Sequence, residues 1–186
     1  VRPADCASGM GALRRFEGKH GFPTSRRTDI CPLRCTYIRH AAAGPNPNDQ
    51  ERALTPVGAA SAVALGVKLR SLFGVPDLIL SSKAKRAYET AEHLDLGSVS
   101  LHSELYLATA EALAQLTQGL PQLRYVLVVA HNPGLSELLW RHAPRCSSLT
   151  PASGFQLSWA VEDWLLTGVE PPSGCLQFSA SGGSNS

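Results

Sequence analysis

The chain has 186 residues, enough for one domain with a sizeable core, and its composition of 44% hydrophobic and 17% charged residues is ordinary for a globular protein. A formal net charge of +2 is too small to make nucleic acid the default partner. No window reads as the roughly 18 apolar residues of a bilayer-spanning helix, so no membrane is expected either. Five scattered cysteines, Cys6, Cys31, Cys35, Cys146 and Cys175, argue against a disulfide framework and fit a reducing, cytoplasmic setting. Cys31 and Cys35 are close together but have no second Cys/His pair at zinc spacing, so no metal is expected.

Residues 1–33 differ from the rest. They carry Arg2, Arg14, Arg15, Lys19, Arg26 and Arg27 against Asp5, Glu17 and Asp29, with frequent Gly, Ser and Pro and no apolar period. This reads as a basic, flexible N-terminal arm. An organelle transit peptide shares the Arg-rich, acid-poor pattern and is the alternative. The chain begins at Val1, which fits a processed form or a fragment.

From residue 34 the punctuation sharpens. Residues 34–38 read as a short strand running into Arg39-His40, and the turn-rich stretch after it as a loop. Thr55-Pro56 supplies an N-cap and a first-position proline for a helix over Val57–Phe73, stopped by Gly74 and Pro76. Residues 77–81 form a second apolar strand, Lys83–Leu94 a helix, 99–101 a short strand and Ala108–Gly119 a third helix. Residues 125–130 (YVLVVA) are apolar on both faces, as in a central parallel strand. Asn132-Pro133 then caps a helix running to about His142. Later strands are expected at 154–161 and 174–178, and the tail 179–186 (SASGGSNS, from 179) reads as disordered. Alternating strands and helices give an α/β fold, three layers with a mostly parallel central sheet, as one domain over 34–178.

Three of these strands end in polar, reactive residues: Arg39-His40, Ser81-Ser82 and His131. In open α/β sheets ligands bind outside the carboxyl ends of the strands. Arg86, in the first turn after Ser82, is placed to face the same crevice, and the helix after Asn132 aims its N-terminus there. Two arginines, two histidines and helix-end N–H groups make a dianion cradle. Arginine offers a planar donor fork to phosphate oxygens, and a neutral imidazole can carry a phosphoryl group covalently. Ser81 and Ser82 read as caps of the following helix. His20, His93, His102 and His142 belong to no motif, and Trp140, Trp159 and Trp164 read as core or surface anchors. No cysteine has an arginine six residues on, no D-x-D occurs, and there is no G-x-x-x-x-G-K-[ST].

Four strings, in order across roughly residues 36–140, carry a family resemblance. YIRHAAAG is similar to the LxRHGxA signature of the histidine phosphatase superfamily. ERALTPVG resembles its R-x-LT-x-x-G, LILSSKAKRAYETAEHL its S-S-P-x-x-R-A-x-x-T-A block, and VLVVAHNPGLSELL its V-x-x-V-x-H-N-P-x-L block. The short SixA-type phosphohistidine phosphatases are the branch it resembles most. The resemblance implies a phosphoglycerate mutase-like fold, no cofactor, His40 as the phosphorylated nucleophile, Arg39 and Arg86 as phosphoryl-binding groups and His131 as the group completing the pocket. Arg52 matches a frequent arginine of the short branch and is assigned to the pocket edge. Ala41 replaces the usual glycine and Lys83 the usual proline.

Only 45 positions separate Arg86 from His131. Other members of the superfamily place a long substrate lid there, often with the acid that protonates the leaving oxygen. Glu104 is the one acid in that interval given a candidate role. An alkoxide leaving group needs a proton in the transition state, whereas phosphohistidine leaves as imidazole from a labile P–N bond. The expectation is therefore a phosphohistidine phosphatase acting on a protein, for example a phosphorelay domain. The alternatives are a small-molecule phosphomonoesterase with the same site and a phosphate-binding module without turnover.

Overall fold

The computed structural model describes residues 31–146, 148–180 and 182–185. The expected basic arm lies outside the described residues up to position 30. The elements follow in the order β1 (Leu33–Arg39), α1 (Pro56–Phe73), β2 (Leu78–Ser82), α2 (Lys85–His93), β3 (Val99–His102), α3 (Ala110–Gln118), β4 (Tyr125–Ala130), α4 (Gly134–His142), β5 (Ser153–Trp159), β6 (Gly174–Ser179) and β7 (Gly182–Asn185). The sheet order is β3-β2-β4-β1-β5-β6-β7. Pairing is parallel from β3 to β1 and antiparallel from β1 through β7.

β4 is buried along its whole length because it lies between two parallel neighbours and under helices on both faces. Alternate side chains feed two cores. Cys35, Tyr37, Val126 and Val128 join Leu113, Leu135 and Leu139 of α3 and α4 on one face. Ile38, Leu127 and Val129 join Leu65 and Leu69 of α1 and Ala87 and Ala91 of α2 on the other. The α/β/α layering follows from that division. Trp159 and Trp164 are buried, while Trp140 is exposed.

The caps explain where the helices start. Thr55 accepts a hydrogen bond from the Gly58 N–H at 3.0 Å with Pro56 in the first helical position, and Gly74, at φ 82°, ends α1. α1, with 18 residues, is long and apolar enough to cross a membrane by length and composition. The expectation that no window reaches that threshold is thus corrected. Its inner face, including Ala62, Leu65 and Leu69, packs into the second core.

Other differences are local. α3 starts at Ala110, not Ala108, because Thr109 accepts from the Ala112 N–H at 3.2 Å and fixes the cap. Asn132 does not cap α4: its side-chain amide donates to the Leu149 carbonyl at 3.2 Å instead. Leu33, read as the last residue of the arm, is buried in the core as the first of β1. The tail read as disordered forms β7 along the edge of β6. Ladder hydrogen bonds come from the backbone, so a Gly/Ser segment with no apolar pattern can still add an edge strand.

Candidate active site

The sheet register sets the geometry. Arg39 lies opposite Ala130 in the parallel β1–β4 ladder, and the His40 N–H donates to the Ala130 carbonyl at 3.2 Å. The residue after each strand end is a histidine, so His40 and His131 emerge side by side, with ring centroids 5.0 Å apart and planes at 58°. β2 flanks β4 on its other side, Ser81 opposite Val129, which brings Ser82 beside His131. The turn after Ser82 starts α2 and delivers Arg86. These ends surround a cleft of about 580 Å³ lined by Arg39, His40, Arg52, Arg86 and His131.

His40 is held by its Nδ1, 2.8 Å from the Ala41 carbonyl. A carbonyl only accepts, so Nδ1 carries the proton and Nε2 presents a lone pair. That lone pair accepts from Arg86 Nε at 3.2 Å. Burial first, then the charges of Arg86, Arg39 and Arg52, push the His40 pKa down to about 4 against the opposing pull of the Ala41 hydrogen bond, so the ring is neutral at pH 7. The loop behind it is pinned at several points. The Ala41 N–H donates to Thr90 Oγ1 at 3.0 Å, Thr55 binds the Ala42 carbonyl, and the Leu54 N–H donates to Glu89 Oε2 at 2.7 Å. Gly58 permits this: a Cβ there would stand 2.1 Å from the Ala42 carbonyl oxygen.

Arg86 is almost fully buried, at 3% exposure. Besides His40, it donates through Nη1 to the Asp49 carbonyl and through Nη2 to Asp49 Oδ2 at 2.9 Å. Asp49 also accepts from Tyr106 Oη at 2.7 Å and from Arg52 Nη1 at 3.2 Å. The Tyr106 hydrogen bond, followed by those from Arg86 and Arg52, holds the Asp49 carboxyl well below the usual range. Arg52 is fixed further by Nε donating to the Gly44 carbonyl at 2.9 Å, which places it at the edge of the cleft.

His131 Nε2 lies 2.9 Å from Ser82 Oγ, and burial, then the charges of His40 and Arg86, lowers its pKa to about 3. Ser82 also accepts from the Ala84 N–H at 3.3 Å, so it shapes the turn into α2 and orients a histidine. Arg39 donates from Nη1 to the Leu149 carbonyl at 2.6 Å. Among the described residues nothing pairs with three buried atoms of cleft-lining residues, Arg39 Nε, His131 Nδ1 and Asn132 Oδ1. Buried polar atoms are nearly always hydrogen-bonded; the first of these is a donor, and Asn132 Oδ1 is an acceptor.

Glu104 is elsewhere. It pairs with His102 Nδ1 at 2.8 Å and lines a separate cavity with His102 and Leu116, away from His40. The 3-10 turn Ser103–Leu105 turns its side chain outward, while Tyr106 and Leu107 reach the cleft that His40 lines. His93, His102 and His142 do not line the cleft, and His20 lies outside the described residues.

Sequence reasoning missed Asp49 and Tyr106. The Asp49–Arg52 spacing, which puts an acid and a base on one short turn, was the available signal for the first. Nothing local to HSELYL marks Tyr106, because its partner is 57 positions away. No group of three or more His, Cys, Asp or Glu that could hold a metal ion occurs among the described residues.

No family model matches the sequence, and no curated protein matches it. Solved structures do. A protein of Nakamurella multipartitia assigned as the phosphohistidine phosphatase SixA is 24% identical, with 76% of this chain and 92% of that chain covered and a TM-score of 0.65. One of Agrobacterium tumefaciens, assigned likewise, is 27% identical over 68% of this chain and 91% of that one, with a TM-score of 0.61. The protein histidine phosphatase SixA in complex with tungstate is 20% identical over 80% of this chain and 97% of that one, with a TM-score of 0.64.

Proposed function

The chain has the histidine phosphatase fold, and from that premise we propose that it is a cofactor-independent phosphohistidine phosphatase. The observation that carries the proposal is the posture of His40. Its Nδ1 proton is tied to the Ala41 carbonyl and its Nε2 lone pair faces Arg86 in a cleft with two further arginines.

In the first step the His40 Nε2 lone pair forms a bond to phosphorus. The bond from phosphorus to the leaving nitrogen breaks, and its electron pair stays on the departing imidazole. Arg39, Arg86 and Arg52 face the phosphoryl oxygens, and His131 Nδ1 completes the shell, with Ser82 holding its other nitrogen. In the second step water attacks phosphorus. The electron pair of the P–N bond returns to His40 Nε2 while the water proton goes to phosphate. Because Nδ1 keeps its proton throughout, His40 departs as neutral imidazole and needs no proton from elsewhere.

The substrate side of the reading rests on proton supply. His40 and His131 are neutral at pH 7, Asp49 is ionised and Glu104 faces away. The Tyr106 hydroxyl is committed to Asp49, so among the described residues of the cleft no carboxylic acid or imidazolium gives a proton; such a site handles an alkoxide poorly and suits a leaving group that already holds a proton. The open cleft also admits a side chain presented by another protein.

A panel of a phosphohistidine-bearing protein, free phosphohistidine, and sugar and nucleotide phosphates tests this. We expect the phosphohistidine substrates to have the highest kcat/KM, and labelled phosphate to be trapped on wild type but not on His40→Ala. A preference for the esters would replace the reading with a small-molecule phosphomonoesterase, and binding without turnover or trapping with a phosphate-binding module.

A further inference from the structure

Asp49 is the only carboxylate among the described residues that line the cleft. It stands where a carboxylate opposes the site's main task. Like charge beside a dianion site weakens phosphate binding, and Arg39, Arg52 and Arg86 would cradle a phosphate more strongly without it. As a bare tether for Arg86 it is also oversupplied, since its own backbone carbonyl already accepts from Arg86 Nη1. Yet its side chain is fixed from three sides by Arg86, Arg52 and Tyr106.

Depth distinguishes it from the rest of the site. His131 and Arg86 form the floor, at 1% and 3% exposure. The Asp49 side chain remains 48% exposed, at the mouth. In an in-line displacement the leaving group lies across phosphorus from the nucleophile. His40 is half-buried, but its Nε2 rests on Arg86 Nε of the floor, so that position is toward the mouth.

We propose that Asp49 is a specificity-determining residue that receives the ring N–H of the leaving imidazole, and so selects a protonated N-phosphorylated imidazole over phosphate esters. This rests on the phosphohistidine reading above. The P–N bond breaks toward the leaving nitrogen. The proton on the other ring nitrogen stays there throughout, so neutral imidazole departs and Asp49 gains no proton. Its charge favours the protonated form of the substrate and disfavours the growing negative charge of an ester oxygen. Tyr106, donating to Oδ2, holds the carboxylate in place.

The test measures kcat/KM for free phosphohistidine and for p-nitrophenyl phosphate, whose leaving oxygen departs as an anion, on wild type, Asp49→Asn and Asp49→Glu. Asparagine keeps an acceptor for Arg86 and Tyr106 but removes the charge. The ratio of the two kcat/KM values is expected to fall about 10- to 100-fold in Asp49→Asn, the worth of one hydrogen bond to a charged group. Asp49→Glu should restore part of it. If both activities fall together and the ratio stays at the wild-type value, Asp49 is only an anchor for Arg86 and the assignment is wrong, although the phosphohistidine reading survives. If wild type itself turns over p-nitrophenyl phosphate and not phosphohistidine, that reading fails and takes this assignment with it.

Discussion

Arg86 Nε donates to His40 Nε2 across 3.2 Å. The guanidinium proposed to hold the phosphoryl group therefore rests on the atom proposed to attack it. The same guanidinium also donates to the backbone carbonyl and the side chain of Asp49 at the mouth. On the proposed mechanism an incoming phosphoryl group would take over the donor that Nε2 gives up, so Arg86 would keep its charge satisfied before and after binding.

That double engagement makes Arg86 hard to replace with another cation. Lysine offers a point charge and cannot donate to His40 and to Asp49 in one plane. Arg86→Lys is expected to lower kcat/KM by about 100- to 10,000-fold, two charged hydrogen bonds' worth, with Arg86→Ala no more than about tenfold worse. Steady-state kinetics on phosphohistidine checks this; near-wild-type activity in the lysine variant would show that charge alone suffices.

The lowered His40 pKa predicts two pH responses. Protonation removes the nucleophilic lone pair, so with p-nitrophenyl phosphate, whose leaving group does not titrate with the ring, the His40 limb of kcat/KM should stay flat as pH falls from 8 to 5 and drop only below about 4. For stability, the unfolded histidine takes up a proton at an ordinary pKa near 6.5 while the folded one resists until about 4. The unfolded state therefore binds more protons in that window, and stability rises with pH. Stability is lost as pH falls from about 6.5 to about 4, by on the order of 3 kcal/mol for His40. Urea melts at stepped pH would reveal it, and His40→Gln should remove its share of the slope while that of His131 remains.

Gly58 lies on α1, yet it sets the catalytic loop. A Cβ there would meet the Ala42 carbonyl oxygen at 2.1 Å and must push the His40–Ala43 stretch or the helix aside. Gly58→Ala is expected to cost about 1–3 kcal/mol and to reduce kcat. Thermal melts together with kinetics measure both. Gly119→Ala is the comparison, since its Cβ would make only ordinary contacts of 3.7 Å.

Glu104 provides a negative expectation. Its carboxylate pairs with His102 and lines a cavity separate from the cleft. Glu104→Gln should leave kcat/KM within about twofold of wild type, as exposed substitutions generally do. A loss of about tenfold or more, restored with substrates carrying better leaving groups, would return it to the role of acid.

The legible part of this protein was the part with strong local signals. β4 was readable to the residue because an unbroken apolar run between turn signals has few interpretations. α1 was readable because Thr55, Pro56 and Gly74 mark its ends chemically. His40, Arg86 and His131 were legible because each follows a strand end, and a parallel sheet gathers its strand ends along one edge. Local patterning also misled. HSELYL offered one acid and one tyrosine, and the acid was chosen on chemistry, whereas a single 3-10 turn decides which of them faces the cleft. Asn132 looked like a cap and bonds across to Leu149.

The sequence by itself determined the alternation of strands and helices, the caps that bound them, and the residue types at the strand ends, because those follow from periodicity, backbone preference and side-chain chemistry over a few neighbouring positions. Only the tertiary structure decided that Asp49 enters the arginine cluster, that Tyr106 rather than Glu104 reaches it, that Ser82 orients His131, and that Arg86 rests on His40. Those pairings span 37 to 57 positions of chain. The Ser82–His131 and Arg86–His40 pairings exist because the β2–β4–β1 register fixes where each strand stops, a distance relation that no local pattern carries.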